Sequence, residues 1–168
     1  MNILSIKDVV KTYESKIAVN HVTFDIPEGI IYGMLGPNGA GKTSLIRIIT
    51  TITRPDSGEI LFNNERLNEN HTSFIGYMPE ERGLYKKMKV GEQLVYLAQL
   101  KGMSHKDAKS TIDGWFEKFD IKDWYNKKIM DLSKGMQQKV QFIATVMHRP
   151  KLIILDEPFS GLDPINAN

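Results

Sequence analysis

Nine consecutive residues, Gly36, Pro37, Asn38, Gly39, Ala40, Gly41, Lys42, Thr43 and Ser44, combine three glycines with a lysine and two adjacent hydroxyls. Glycines let a backbone wrap around an oxyanion with its N–H groups pointing inward. The spacing satisfies G-x-x-x-x-G-K-[ST], in which Lys42 reaches the β- and γ-phosphates of a nucleoside triphosphate. The Thr43 hydroxyl is a hard oxygen suited to Mg²⁺, which binds few protein groups and keeps several waters. An apolar run precedes the loop and a helical pattern follows it, which is the context this chemistry needs.

A second chemical element is Leu152-Ile153-Ile154-Leu155-Asp156-Glu157-Pro158, four aliphatics that read as a buried strand and deliver two acids to its C-terminal tip. Ligands of α/β sheets sit at such tips. Asp156 can orient Mg²⁺ through water, and Glu157, facing the other way along the strand, can polarise a water for attack on a γ-phosphate. A third element, Leu132-Ser133-Lys134-Gly135-Met136, sets a glycine turn just ahead of an amphipathic helix, another place where an anion is welcome. A plain helix cap at Ser133 explains the same residues, and the two roles are compatible.

These groups need elements to position them. Near-alternating apolar residues from Ile3 to Ile26, broken at Glu14 to Lys16, predict two antiparallel strands, with a further turn at Glu28-Gly29. Ile30 to Leu35 reads as a strand of a parallel core carrying the phosphate loop, with a helix over Ser44 to Ile52 and a close at Pro55 to Gly58. Strands are expected at Glu59 to Phe62 and Ser73 to Met78, and Asn70 in a loop. Helices are expected at Val90 to Lys101 and Ser104 to Phe119, the latter with Ser104 and Asp107 as a capping box and with Ala108, Ile112, Trp115 and Phe119 on one apolar face. Met136, Val140, Ile143 and Met147 share a further helical face that Pro150 ends before the last strand. The fold class is mixed α/β.

Composition bounds the rest. The 168 residues hold one domain, or a main domain with a small subdomain, and 41% hydrophobic with 25% charged residues belongs to a globular chain. A formal charge of +2, with both signs interleaved, gives nucleic acid no foothold. The absence of cysteine excludes disulfides and zinc thiolates, and the start lacks a secretory pattern, so a cytosolic location is expected. No aliphatic run approaches the roughly 20 residues that span a bilayer, so any membrane link must come through a partner.

Together the phosphate loop, the Ser133 turn, the acidic strand tip and Ser160-Gly161-Leu162-Asp163, in this order, resemble the nucleotide-binding domain of ABC transporters from Ile3 to Pro164. The resemblance implies a P-loop ATPase core with an N-terminal antiparallel β-subdomain and a helical subdomain. Residues 1–78 and 150–168 would form the core and β part, and residues 85–149 the helical part. It implies ATP and Mg²⁺ as cofactors, Lys42 and Glu157 in catalysis, and Thr43, Glu80 and Asp156 at the metal. Tyr13 would stack on adenine. Two such domains would pack head to tail, Ser133 and Gly135 of one contacting the nucleotide held by the other, with Asp163 communicating between the sites.

Implied partners are a second nucleotide-binding domain and transmembrane permease subunits, which would hold the chain at the inner face of the membrane. Two departures are Glu80 where the family has glutamine and Lys134 and Met136 within the signature turn, a wording similar to the subgroup that drives ABC-2-type exporters. None of His21, His71, His105 and His148 matches the family's switch histidine, and the chain is expected to be a truncated form. Alternatives are a soluble ABC ATPase without transport and an ATP-binding fragment without turnover.

Overall fold

A computed structural model of the chain describes residues 1–81 and 83–158, and they fall into two compact units that divide between Thr72 and Ser73. In the first unit, β1 (Asn2–Tyr13) and β2 (Lys16–Pro27) form the expected hairpin, turning through Glu14 and Ser15 with Glu14 at φ 52°. The β3 strand (Ser57–Phe62) pairs antiparallel with β1, and a two-residue β4 (Glu65–Arg66) folds back on β3, giving the order β2-β1-β3-β4. The unbroken buried run Ile3 to Ile6 of β1, with Val9 beyond a register shift, packs inside with Ile60 and Phe62 and with Leu45, Ile46, Ile48 and Ile49 from α1 (Lys42–Ile49). Asn70, expected in a loop, lies in a 3₁₀ turn, Glu69–Phe74, that seats His71 against the Phe62 ring at 5.4 Å.

The second unit carries the parallel pair β5 (Ile75–Met78) and β6 (Leu152–Leu155) and three helices, α2 (Val90–Leu100), α3 (His105–Lys118) and α4 (Lys134–Val146). The capping box at α3 forms as expected: the Asp107 N–H donates to Ser104 Oγ at 3.1 Å, and the Ser104 hydroxyl donates to the Asp107 carboxylate at 2.6 Å. The helical core gathers Leu94, Ala98, Ile112, Phe116, Val140 and Ile143, all nearly excluded from solvent. Ala108 and Ile112 hold the predicted α3 face, both fully buried, and Phe116 joins them as the buried aromatic. Trp115 and Phe119 are only partly buried and stack on each other with centroids 5.4 Å apart.

Two expectations about the parallel core fail. Ile30 to Leu35 joins neither sheet: Tyr32 stacks on Phe24 of β2 with centroids 5.2 Å apart, while Ile31 and Leu35 stand in solvent at 102% and 95% exposure. An apolar run becomes a buried strand only where hydrogen-bonded neighbours lie on its edges, and none among the described residues pairs with it. For the same reason β6 is not buried. It has β5 as its sheet neighbour among the described residues, and Ile153 and Leu155 stay exposed.

Candidate functional site

The phosphate loop sits on the N terminus of α1, whose first residue is Lys42. Gly41 caps the helix at φ 89°, a left-handed conformation that side chains resist. A Cβ on Gly41 would also lie 1.9 Å from the Ala18 carbonyl oxygen of β2, so glycine alone permits the loop to rest on the hairpin. Gly39 is likewise left-handed, at φ 80°, and the Ala40 N–H donates to the Pro37 carbonyl at 3.2 Å, closing the turn. Lys42 bends back over the loop, its ammonium donating to the carbonyls of Gly36 at 2.7 Å and Pro37 at 3.0 Å. A cation is thereby held among the loop's polar backbone groups. Thr43 is exposed and Ser44 half-buried beside it.

Tyr13 ends β1 with its ring 40% exposed and the Lys11 ammonium 5.6 Å from its centroid. Asp56 anchors this strand end: it accepts from Lys11 Nζ at 2.6 Å and from the Thr12 N–H at 2.7 Å. These two donors hold the Asp56 carboxyl below its usual range. Sequence reasoning gave Asp56 only a turn.

In the second unit Ser133 caps α4, accepting the Met136 N–H at 3.3 Å. Gly135 lies in the first turn of α4, and a Cβ there would meet nothing within 4 Å. No crowding among the described residues demands glycine at 135, although glycine within a helix costs about 0.5–1 kcal/mol relative to alanine. Asp156 is buried at 7% exposure, and its N–H donates to the Met78 carbonyl at 2.9 Å, extending the β5–β6 ladder by one rung. Glu157 follows in a left-handed conformation at φ 48° and is exposed, whereas Asp156 is buried. Glu80 is exposed just past the end of β5. Asp163 lies outside the described residues.

Three glutamines of α4 organise this unit. Gln137 donates to the Ile129 and Leu132 carbonyls at 3.1 and 3.0 Å, fixing the approach to Ser133. Gln138 donates to the Pro158 carbonyl, next to Glu157. Gln141, 6% exposed, donates to the Pro79 carbonyl at 3.0 Å, next to Glu80. The signal was present: Gln137, Gln141 and Thr145 recur every four residues beside the apolar face of α4.

The donors suit Mg²⁺ and not a self-sufficient metal cage. Among the described residues no three His, Cys, Asp or Glu side chains cluster to hold a metal, whereas Mg²⁺ needs one or two protein oxygens with phosphate and water completing its shell. Thr43 in the first unit and Asp156 in the second each carry a hard oxygen of that kind.

The family model described as ABC transporter matches residues 19–160. YhaQ of Bacillus subtilis, described as an uncharacterized ABC transporter ATP-binding protein, is 51% identical over 164 residues, covering 98% of this chain and 55% of that protein. The lantibiotic transport ATP-binding protein SrtF of Streptococcus pyogenes is 33% identical over 96% of this chain and 69% of its own length. A solved ATP-binding subunit of an ABC transporter superposes with TM-score 0.86 at 31% identity, over 97% of this chain and 69% of that one. The chain spans 55% of YhaQ, so it matches little more than half of that relative's length. The loop, the acidic strand tip and the capped glycine turn lie within the matched span, and the chain belongs to the ABC transporter family, as an ATP-binding domain.

Proposed function

We propose that the chain binds and hydrolyses ATP as the energy-coupling component of a transporter, closing head to tail on a second nucleotide-binding domain to drive permease subunits. The supporting observation is Gly135. Nothing among the described residues needs glycine there, yet glycine leaves the first turn of α4 open to close approach by a ligand. One nucleotide-binding domain built from residues 1–78 and 150–168 with a helical part at 85–149 remains our reading of the architecture.

In this reading the backbone N–H groups of the glycine loop and the positive end of α1 bind the phosphates, and Lys42 exchanges its two carbonyl partners for phosphate oxygens. Tyr13 stacks on the base. Thr43, Asp156 and Glu80 are the oxygens that would hold Mg²⁺, which when bound neutralises charge on the β- and γ-phosphates. Glu157, exposed at its strand end, takes a proton from the attacking water. Ser133 and Gly135 contact the γ-phosphate held by the other domain, and closure excludes bulk water from it. Export is the direction supported by the Lys134 and Met136 wording of the signature turn. The chain then works at the inner face of a membrane through its permease partners; no helix among the described residues is long and apolar enough to cross one.

Calorimetry on Lys42→Ala tests the phosphate loop. Affinity for MgATP should fall at least about tenfold, the loss of one charge-assisted contact; unchanged affinity would sink the assignment. Ser133→Arg should bind MgATP normally and fail to dimerise by light scattering.

A further inference from the structure

The polar stripe on α4 is matched to the open edge of β5. Successive carbonyls of a strand alternate between its two edges. Met78, whose carbonyl accepts from Asp156, faces β6, so the carbonyls of Tyr77 and Pro79 face the other way. That second edge is met by α4 at Tyr77 and Pro79 and by the Lys101 ammonium, which donates to the Ile75 carbonyl at 3.1 Å; no strand pairs with it among the described residues. Thr145 Oγ1 lies 3.4 Å from the Tyr77 carbonyl and Gln141 Nε2 donates to that of Pro79 at 3.0 Å. Two residues of strand advance about 6.6 Å and four residues of helix about 6 Å, so the two ladders stay in step.

Contact is close because residue 76 has no side chain: a Cβ on Gly76 would stand 2.4 Å from the Thr145 carbonyl oxygen and 3.0 Å from Pro150 Cγ. The strand end is therefore seated on the helix at three successive points. The last of them is the peptide that leads into Glu80.

We propose that Gln141 is a positioning residue for Glu80. Through the Pro79 carbonyl it locks the start of the Glu80 loop to the helix that begins at Ser133, so that loading of the Ser133 turn and the setting of Glu80 are a single event. This rests on the reading of Ser133 and Gly135 as nucleotide contacts in trans. The far end of the same loop is held independently, since the Tyr85 N–H donates to Gln93 Oε1 on α2 at 3.1 Å. Gln141 consequently governs the Glu80 end alone.

The test uses the Glu157→Gln chain with excess MgATP and adds Gln141→Met or Gln141→Glu, both of similar size and both without the donor. Light scattering reads dimerisation, thermal melting reads folding, and hydrogen exchange reads the amides of Glu80, Glu81 and Gly83. Without the second substitution, MgATP should slow exchange at these amides about tenfold as the dimer forms. With Gln141→Met or Gln141→Glu the dimer should still form and Tyr85 should stay protected, while the slowing at Glu80 and Glu81 is lost.

Slowing that persists in either folded variant would overturn the role of Gln141. So would loss of the dimer in a variant that melts normally, because Gln141 would then be acting on the Ser133 turn itself. If the Glu157→Gln chain never dimerises, or dimerises equally well with Ser133→Arg, the trans reading fails and this inference with it.

Discussion

Glu157 occupies an unusual place for an acid, left-handed at φ 48° and exposed, directly after a buried aspartate. Holding a non-glycine residue there costs about 1–3 kcal/mol, a strain that persists where the surroundings impose it. Glu157 is left exposed to solvent just past the ladder that holds the Asp156 N–H. Glu157→Gln should retain MgATP binding by calorimetry and lose turnover by at least about a hundredfold, the usual contribution of a positioned base. Normal hydrolysis by that variant would remove Glu157 from the role.

Gly41 is the residue on which the loop's shape depends. Gly41→Ala sets a methyl against the Ala18 carbonyl and strains φ, so nucleotide affinity and thermal stability should fall together, the latter by about 1–3 kcal/mol. An unaltered melting curve would mean that the loop can leave the hairpin without cost.

At the scale of elements, the contact between β5 and α4 explains what could and could not be read from the sequence. The hairpin, the capping box at Ser104 and the helices α2 to α4 were legible because each is set by local periodicity and turn chemistry. The phosphate loop was legible because a short motif specifies it. The rest depends on who pairs with whom. Ile30 to Leu35 has the composition of a buried strand, but composition cannot supply neighbours, and the run lies outside both sheets.

Likewise Gln141 looks like a polar residue beside an apolar face until the Pro79 carbonyl, 62 residues away in sequence, is seen to need a donor. Gly76→Ala belongs to this scale. Pushing α4 off β5 should lower stability by about 1–3 kcal/mol in a denaturant titration, the range for an added methyl in a packed site. No change in the midpoint would show that the seat is soft.

At the scale of the whole chain, acidity should be felt through His148. Burial, with the nearby Lys101 ammonium, holds its pKa below the ordinary value of about 6.5, against a smaller opposing pull from the Ile75 carbonyl. A depressed pKa means that the folded state prefers the neutral ring. The contribution to stability is complete above the ordinary value and is lost as pH falls through the lower, folded one. Thermal midpoints recorded downward from pH 7.5 should therefore decline below about pH 6.5, and His148→Gln should flatten that decline. An identical acid limb in the variant would acquit His148.

Ile30 to Leu35 has a further consequence in the test tube. Ile-Ile-Tyr-Gly-Met-Leu is six uncharged residues of largely β-favouring type without proline, outside either sheet and with Ile30, Ile31 and Leu35 exposed. Such a segment invites the same segment of a neighbouring molecule to pair with it. Purified chain should consequently cloud in a concentration-dependent way on standing, with growing thioflavin fluorescence, and the shelf life of the preparation would be set by six residues that touch no phosphate. A charge at the outward-facing Ile31 would act as a gatekeeper, lengthening the lag while the phosphate loop goes on binding nucleotide.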